Sequence, residues 1–394
     1  MRLLIKNAKL ILNNKEVIRS IYIKDGKIRR VANKNFNADK IIDAKHKFVI
    51  PGLVDPHVHC REPGLTHKEN FFTASKAAAA GGVTTFLDMP NTKPPTLTLK
   101  ELKRKKALAK KSVVNYGFHF GCSENNLPQI IKAQQFVAST KLFRDATTGN
   151  LFIQNKSMIE KIFKHSKFVT THSEDKNLED SVKLARKLET RLYLCHISLK
   201  SEIDFLKKFK SKNIFCEVTP HHLFLTKKSR QSMKPTLKSE SDRKALWNAL
   251  KSGLIDTIGS DHAPHTLKEK KSKTPPFGIP GLETTLPLLL NAVNKGKLSL
   301  TQVVRLTSKN PARIFKLKNK GLIAPGYDAD LVIIDMTLEK NVKNNALFTK
   351  CGWSPFNTIK LKGWPVITII NGNIVYDNGK INNIKAKEVV YNEF

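Results

Sequence analysis

Short apolar runs divided by turn signals open the chain: LLIKNAKLIL, VIRSIYI, KDGKI and IIDAKHKFVI, all within residues 1 to 50. Runs of this length, rich in Ile and Val and broken by Asn-Asn and Asp-Gly, predict the strands of a small sheet. The same texture returns from residue 319 onward as DADLVIID and PVITIINGNIVYDNGK, where two Asn-Gly pairs mark tight turns. Between these ends the pattern changes. Eight apolar runs (GLVDPHVH, VTTFLDM, VNYGFHF, TKLF, KFVTTHS, RLYLCHIS, IFCEVTP and IDTIGSD) alternate with Lys-rich stretches of helix length. Strand and helix in strict alternation predict an α/β fold, a closed parallel (β/α)8 TIM-like barrel, over residues 51–318. Residues 1–50 and 319–394 are then the two parts of one split β domain, because chain ends tend to lie close together on a domain surface. Chemistry is expected where the barrel strands finish.

Composition narrows this picture. With 40% hydrophobic residues spread along 394 positions, disorder and collagen-like repetition are excluded. A barrel of about 250 residues leaves room for one smaller unit. The five cysteines, at 60, 122, 195, 216 and 351, form no CxxC pair, so no disulfide framework is expected and the cytoplasm is the expected compartment. The first residues place lysines inside their apolar stretch and read as a strand, not a signal peptide. No window approaches the length of a membrane span. The net charge of +36 is carried by lysines scattered through stretches such as ELKRKKALAKK, FLKKFKSK and LKEKKSK. No basic stripe carries interleaved aromatics, so a nucleic-acid partner is not expected and the charge favours small anions.

The ionisable residues gather at the predicted strand ends. His57 and His59 finish strand one and, two apart, point to the same side. His172 ends strand five, His196 strand six and Asp261 strand eight, a set suited to a metal at the barrel mouth. Lys141 on strand four is an odd companion, since an ammonium repels a cation. A neutral amine can take up carbon dioxide and become an anionic carbamate. With an ordinary pKa of about 10.4, roughly one lysine in 10³ is neutral at pH 7, so burial and metal charge must drive that step.

The motifs PGLVDPHVHCREPG, LDMPNT, CHIS, CEVTPHHLFL, GSDHAPHT and GIPGLETTLPLLL, spread over nearly the whole chain, resemble those of the dihydroorotase family of the amidohydrolase superfamily. The resemblance implies two zinc ions. His57, His59 and Asp261 would hold one, His172 and His196 the other, and carbamylated Lys141 would bridge them together with a hydroxide. It implies reversible cyclisation of N-carbamoyl-L-aspartate to L-dihydroorotate and water, the ring-closing step of pyrimidine synthesis, with Asp261 as general acid and base. Arg61, Asn91 and His265 would bind the substrate, Arg61 through its fork onto the carboxylate that does not react. Hydantoinases and allantoinases, whose rings lack that carboxylate, are the alternative.

Other positions carry weaker expectations. Glu217 ends strand seven as a supporting carboxylate, with metal contact left open. His221 and His222 are read as orienting or packing groups, and Cys60 as packing. Thr147, in FRDATTGN, is assigned to a loop over the substrate, and the TKLF context favours Lys141 over Asp145 as the bridging residue. KPTLK at 234–238 stands where many relatives have Asn-Pro-Pro-Leu-Arg, which leaves a substrate contact there open. The resemblance allows a homodimer and association with aspartate transcarbamoylase. Retention of every ligand candidate argues against a scaffold without activity.

Overall fold

Eight short strands, nearly all of them buried on both faces, form the centre of the molecule. The computed structural model describes residues 1–12, 15–147, 149 and 151–393. In chain order, five strands come first: β1 (Arg2–Leu12), β2 (Lys15–Lys24), β3 (Lys27–Ala32), β4 (Lys40–Asp43) and β5 (Phe48–Pro51). The barrel follows as β6 (Leu53–Val58), β7 (Val83–Asp88), β8 (Asn115–Gly121), β9 (Ser139–Phe143), β10 (Phe168–His172), β11 (Arg191–Leu194), β12 (Ile214–Val218) and β13 (Thr257–Ile258). These eight pair in parallel, each with its neighbour in sequence. A parallel bridge between Val58 and His262 brings the last strand round to the first. Every position of β6, β7 and β8 is buried, as expected where helices cover one face and barrel side chains fill the other.

The connections are amphipathic helices. In the helix Asp175–Lys187, Leu178, Val182 and Ala185 recur at spacings of four and three and are buried, while Lys176, Lys183 and Lys187 face water. The helix Phe71–Ala80 packs a run of alanines against the barrel and starts at a capping box in which Asn70 accepts from the Phe72 and Thr73 amides. Lysines on the outer faces of such helices account for much of the charge without forming a site.

Both chain ends build the second layer. After the barrel come β14 (Leu331–Asn341), β15 (Lys360–Ile370), β16 (Asn373–Asp377) and β17 (Lys380–Ile381). The order β17-β16-β15-β14-β5-β1-β2-β3, with β4 beside β1, joins them to the first five strands. The seam is the antiparallel pair β5–β14, where Phe48 faces Ile334 and Pro51 faces Leu331. Leu3, Ile5, Leu10, Ile21 and Ile23 share one core with Leu331, Ile333, Val366 and Ile369. The barrel and the split β domain expected from the pattern are both present. Strand eight is shorter than IDTIGSD suggests, because the chain leaves the ladder before Asp261. Among the described residues, no helix is long and apolar enough to cross a membrane.

Candidate metal centre

The C-terminal ends of the barrel strands surround one cavity, lined in part by His57, His59, Arg61, Lys141, His172, His196 and Asp261. Residues from first to last in this set are separated by two hundred positions, and the strand order alone brings them together. Three of them leave the strands through left-handed backbone: Arg61 at φ 62°, His196 at φ 39° and Asp261 at φ 45°. Non-glycine residues are uncommon in this region, and all three line the cavity.

Proton positions identify what the centre can bind. His57 Nδ1 lies 2.8 Å from Glu217 Oε1, and a carboxylate only accepts, so the imidazole proton sits on Nδ1. His59 Nδ1 lies 2.7 Å from Asn91 Oδ1, which fixes its proton in the same way. Both rings then present a bare Nε2, each 3.2 Å from the same oxygen of Asp261. Three lone pairs converging this closely repel one another unless positive charge, a proton or a metal ion, stands between them. Burial opposes charge on His57, yet Asp261 and Glu217 raise its pKa well above the ordinary histidine value. Burial likewise works against the Asp261 carboxylate, and His57 and His59 still hold its pKa well below the usual carboxylate range. Positive charge is strongly favoured here, and the donor set fits a divalent ion.

His172 and His196 meet edge to face, with ring centroids 4.5 Å apart. His172 Nε2 and His196 Nδ1 are buried without hydrogen-bond partners, which fits a second ion better than a packed core. Lys141 is fully buried, and its Nζ donates to Cys195 Sγ at 3.0 Å. Among the described residues no carboxylate pairs with it, so an ammonium at this place would be isolated inside the protein.

Arg61 lines the same cavity. Its Nε donates to the Pro264 carbonyl at 3.1 Å, and although burial lowers its pKa to about 10 it stays charged at neutral pH. His265 stands behind it and does not line the cavity. Lys68 Nζ donates to His265 Nδ1 at 3.0 Å, so Nε2 carries the ring proton and donates to the Phe277 carbonyl at 2.8 Å. Arg61 NH2 lies 3.0 Å from that nitrogen. Asn91 and Thr147 both line the cavity; residues 148 and 150 lie outside the described set. Asp145 is turned away, accepting from the Glu174 amide at 2.8 Å and from Asn177 at 2.7 Å.

The supporting residues divide along similar lines. Glu217 is fully buried and also accepts from Tyr193 OH at 2.8 Å and from the His196 amide at 3.1 Å. Cys60 packs in the core while its amide donates to Asp88 at 2.8 Å. His222 accepts from Thr219 Oγ1 at Nδ1 and donates from Nε2 to the Pro235 carbonyl. Sequence reasoning missed Asp55, which accepts from the His57 and Ser260 amides and so joins strand one to the Asp261 turn. It also missed Glu174, 3.6 Å from His172 Nε2, for which the HSED run was the available signal.

Comparisons with known proteins give the family and the fold. The amidohydrolase family model matches residues 48–375. A dihydroorotase of Pyrococcus abyssi is 38% identical over 95% of both chains, and one of Methanosphaera stadtmanae is 36% identical over 98% of this chain and 99% of its own. Among solved structures, the L-hydantoinase (dihydropyrimidinase) of Arthrobacter aurescens superposes with a TM-score of 0.92 at 28% identity, covering 98% of this chain and 99% of its own. The D-hydantoinase of a Thermus species gives 0.89 at 25% identity over 99% of each. The chain thus belongs to the amidohydrolase family and, within it, groups with the dihydroorotases.

Proposed function

We propose that this chain is a dihydroorotase, interconverting N-carbamoyl-L-aspartate with L-dihydroorotate and water. The observation that carries the reading is Arg61, a charged and buried guanidinium lining the same cavity as His57, His59 and Asp261. A cyclic amide with a carboxylate that does not react needs such a fork to orient it. The names of the archaeal relatives support the same choice.

His57, His59 and Asp261 would hold one zinc ion, His172 and His196 a second, and Lys141 as its carbamate would lie between them. Bound there, the ions would polarise the amide carbonyl and make water acidic enough to attack at neutral pH. The chain's own groups do the rest. In ring opening a C–O bond forms at the amide carbonyl and the C–N bond breaks. Asp261 takes the proton of the attacking water and gives it to the departing ring nitrogen. Ring closure begins with protonated Asp261. Arg61 grips the inert carboxylate, His265 holds Arg61 in place, and Asn91, its Oδ1 beside His59, binds the substrate from the same cavity. The reading places the protein in the cytoplasm, and size measurement with and without aspartate transcarbamoylase would distinguish a homodimer from a complex.

The solved hydantoinases favour a second reading, ring opening of hydantoin, which would leave Arg61 with no carboxylate to hold. Incubation with dihydroorotate, hydantoin and allantoin, with and without a chelator, separates the two. Turnover of dihydroorotate alone, abolished by the chelator, is expected; faster turnover of hydantoin would replace the first reading with the second. Arg61→Met should raise KM for dihydroorotate about 30-fold, corresponding to about 2 kcal/mol for a charged hydrogen-bonded pair. An unchanged KM would move the anchor elsewhere.

A further inference from the structure

We propose that Lys234 adds a second cation to the cavity that holds Arg61, making an anion subsite that favours an open-chain dicarboxylate over its cyclised form. The inference rests on the dihydroorotase reading and sharpens its substrate preference.

Lys234 lines the same cavity as His57, Arg61, His172 and Asp261. It is half-buried, with Nζ 5.7 Å from the centre of the Phe277 ring. The acid on its side of the cavity is Glu174, and that carboxylate is already shared: one oxygen lies 3.6 Å from His172 Nε2 and the other 3.9 Å from Lys238 Nζ. Among the described residues, no carboxylate forms an ion pair with Lys234 itself. Glu174 feels the Lys234 charge only at a distance and is also shared with His172 and Lys238, so the ammonium on this cavity wall keeps charge to offer an anion in the cavity.

The backbone that presents it is pinned on both sides. Two residues before, the Ser232 carbonyl accepts from Lys270 Nζ at 2.7 Å and from the Gly278 amide at 3.1 Å. One residue after, the Pro235 carbonyl accepts from His222 Nε2 at 3.2 Å, and His222 is itself held by Thr219 at 2.8 Å. A lysine carried on a loose loop would swing into water; this one is held against the cavity.

The chemistry gives such a charge a definite effect. Ring opening adds water, breaks the amide and turns one carbonyl into a new carboxylate, so a monoanion becomes a dianion and releases a proton. The carboxylate suited to Arg61 is present on both sides of that reaction. The charge that differs is the new one. A fixed ammonium in a partly dry cavity stabilises the dianion more than the monoanion.

The test compares Lys234→Met and Lys234→Gln with the parent protein at equal metal content. KM for N-carbamoyl-L-aspartate should rise at least tenfold and KM for dihydroorotate by a smaller factor, with Lys234→Arg restoring most of the difference. Equal changes for the two compounds, or none, would overturn the proposal. Calorimetry with succinate, a dicarboxylate that cannot cyclise, gives a readout that needs no turnover. Weaker succinate binding in both neutral variants is expected, and identical binding in parent and variants would sink the subsite. Should the parent turn over neither compound, the dihydroorotase reading fails, while the succinate result still decides the subsite.

Discussion

Glu217 lies outside the cavity, yet two of its imidazoles depend on it. One carboxylate oxygen fixes the His57 proton and accepts the His196 amide, while the other takes the Tyr193 hydroxyl. Glu217→Gln keeps the volume but offers an amide that can donate, so the His57 tautomer is no longer forced. Metal affinity should fall about 10- to 100-fold, as is usual when a group orienting a ligand is lost. Elemental analysis after dialysis against graded chelator checks this, and full retention would place Glu217 outside the centre. Gly259 serves the same residue: a Cβ there would stand 2.4 Å from Glu217 Oε2, so the glycine makes room for the carboxylate. The convergence of His57, His59, His172, His196 and Asp261 was legible because strand ends in a parallel barrel share one face. The positions of Glu174, Lys234 and His265 were not. Each depends on the path of a loop between strands, and no periodicity encodes that path.

At the scale of elements, one buried ion pair joins the first two loops of the cavity. Lys105, inside the helix Leu99–Ala109, meets Asp88 at 2.5 Å, both without exposure to solvent. Asp88 accepts the amide of Cys60, between His59 and Arg61, and Lys105 donates to the carbonyl of Met89, two residues before Asn91. In sequence Lys105 is one cation among many in ELKRKKALAKK, and only packing singles it out. Lys105→Met strands a buried carboxylate and should cost about 3–5 kcal/mol in urea denaturation. Adding Asp88→Asn should recover part of that loss, and a silent single variant would show that the pair holds nothing.

A second clamp works between layers. Glu283, in the first turn of the helix Leu282–Asn294, accepts the amides of Phe348 and Thr349 from the excursion between β14 and β15. A fully buried carboxylate, Glu69, also receives this excursion through the Thr349 hydroxyl, and Trp353 from it donates to the His265 carbonyl at 2.7 Å. Burial raises the Glu283 pKa to about 8. A carboxyl that is harder to ionise folded than unfolded binds more protons in the native state, so its contribution is present at low pH and is lost as pH rises from its unfolded value toward 8. Between pH 5 and 8, the fall in Tm should be shallower in Glu283→Gln than in the parent; parallel curves would refute the linkage.

Across the whole molecule, the end of the chain closes the floor of the barrel opposite the site. Val389 donates to the Tyr116 carbonyl at the start of β8, and Val389 and Tyr391 join a cluster with Val54, Leu87, Phe168 and Phe315. Gly117 permits this approach, since a Cβ there would stand 2.5 Å from Tyr391 OH and 2.7 Å from Val389. Removing residues 385–394 would open that apolar floor to water, whereas Tyr391→Phe removes one hydroxyl that accepts from the Phe118 amide at 3.4 Å. The hydroxyl should be worth less than about 1 kcal/mol and the buried side chains about 1.5–3 kcal/mol each, so truncation should lower stability several times more than the point variant. Metal content of the folded fraction should be the same in both, because the cavity-lining side chains belong to the opposite end of the strands. Thermal unfolding followed beside elemental analysis tests the two claims together, and a truncated protein as stable as the parent would mean that the barrel closes its own floor.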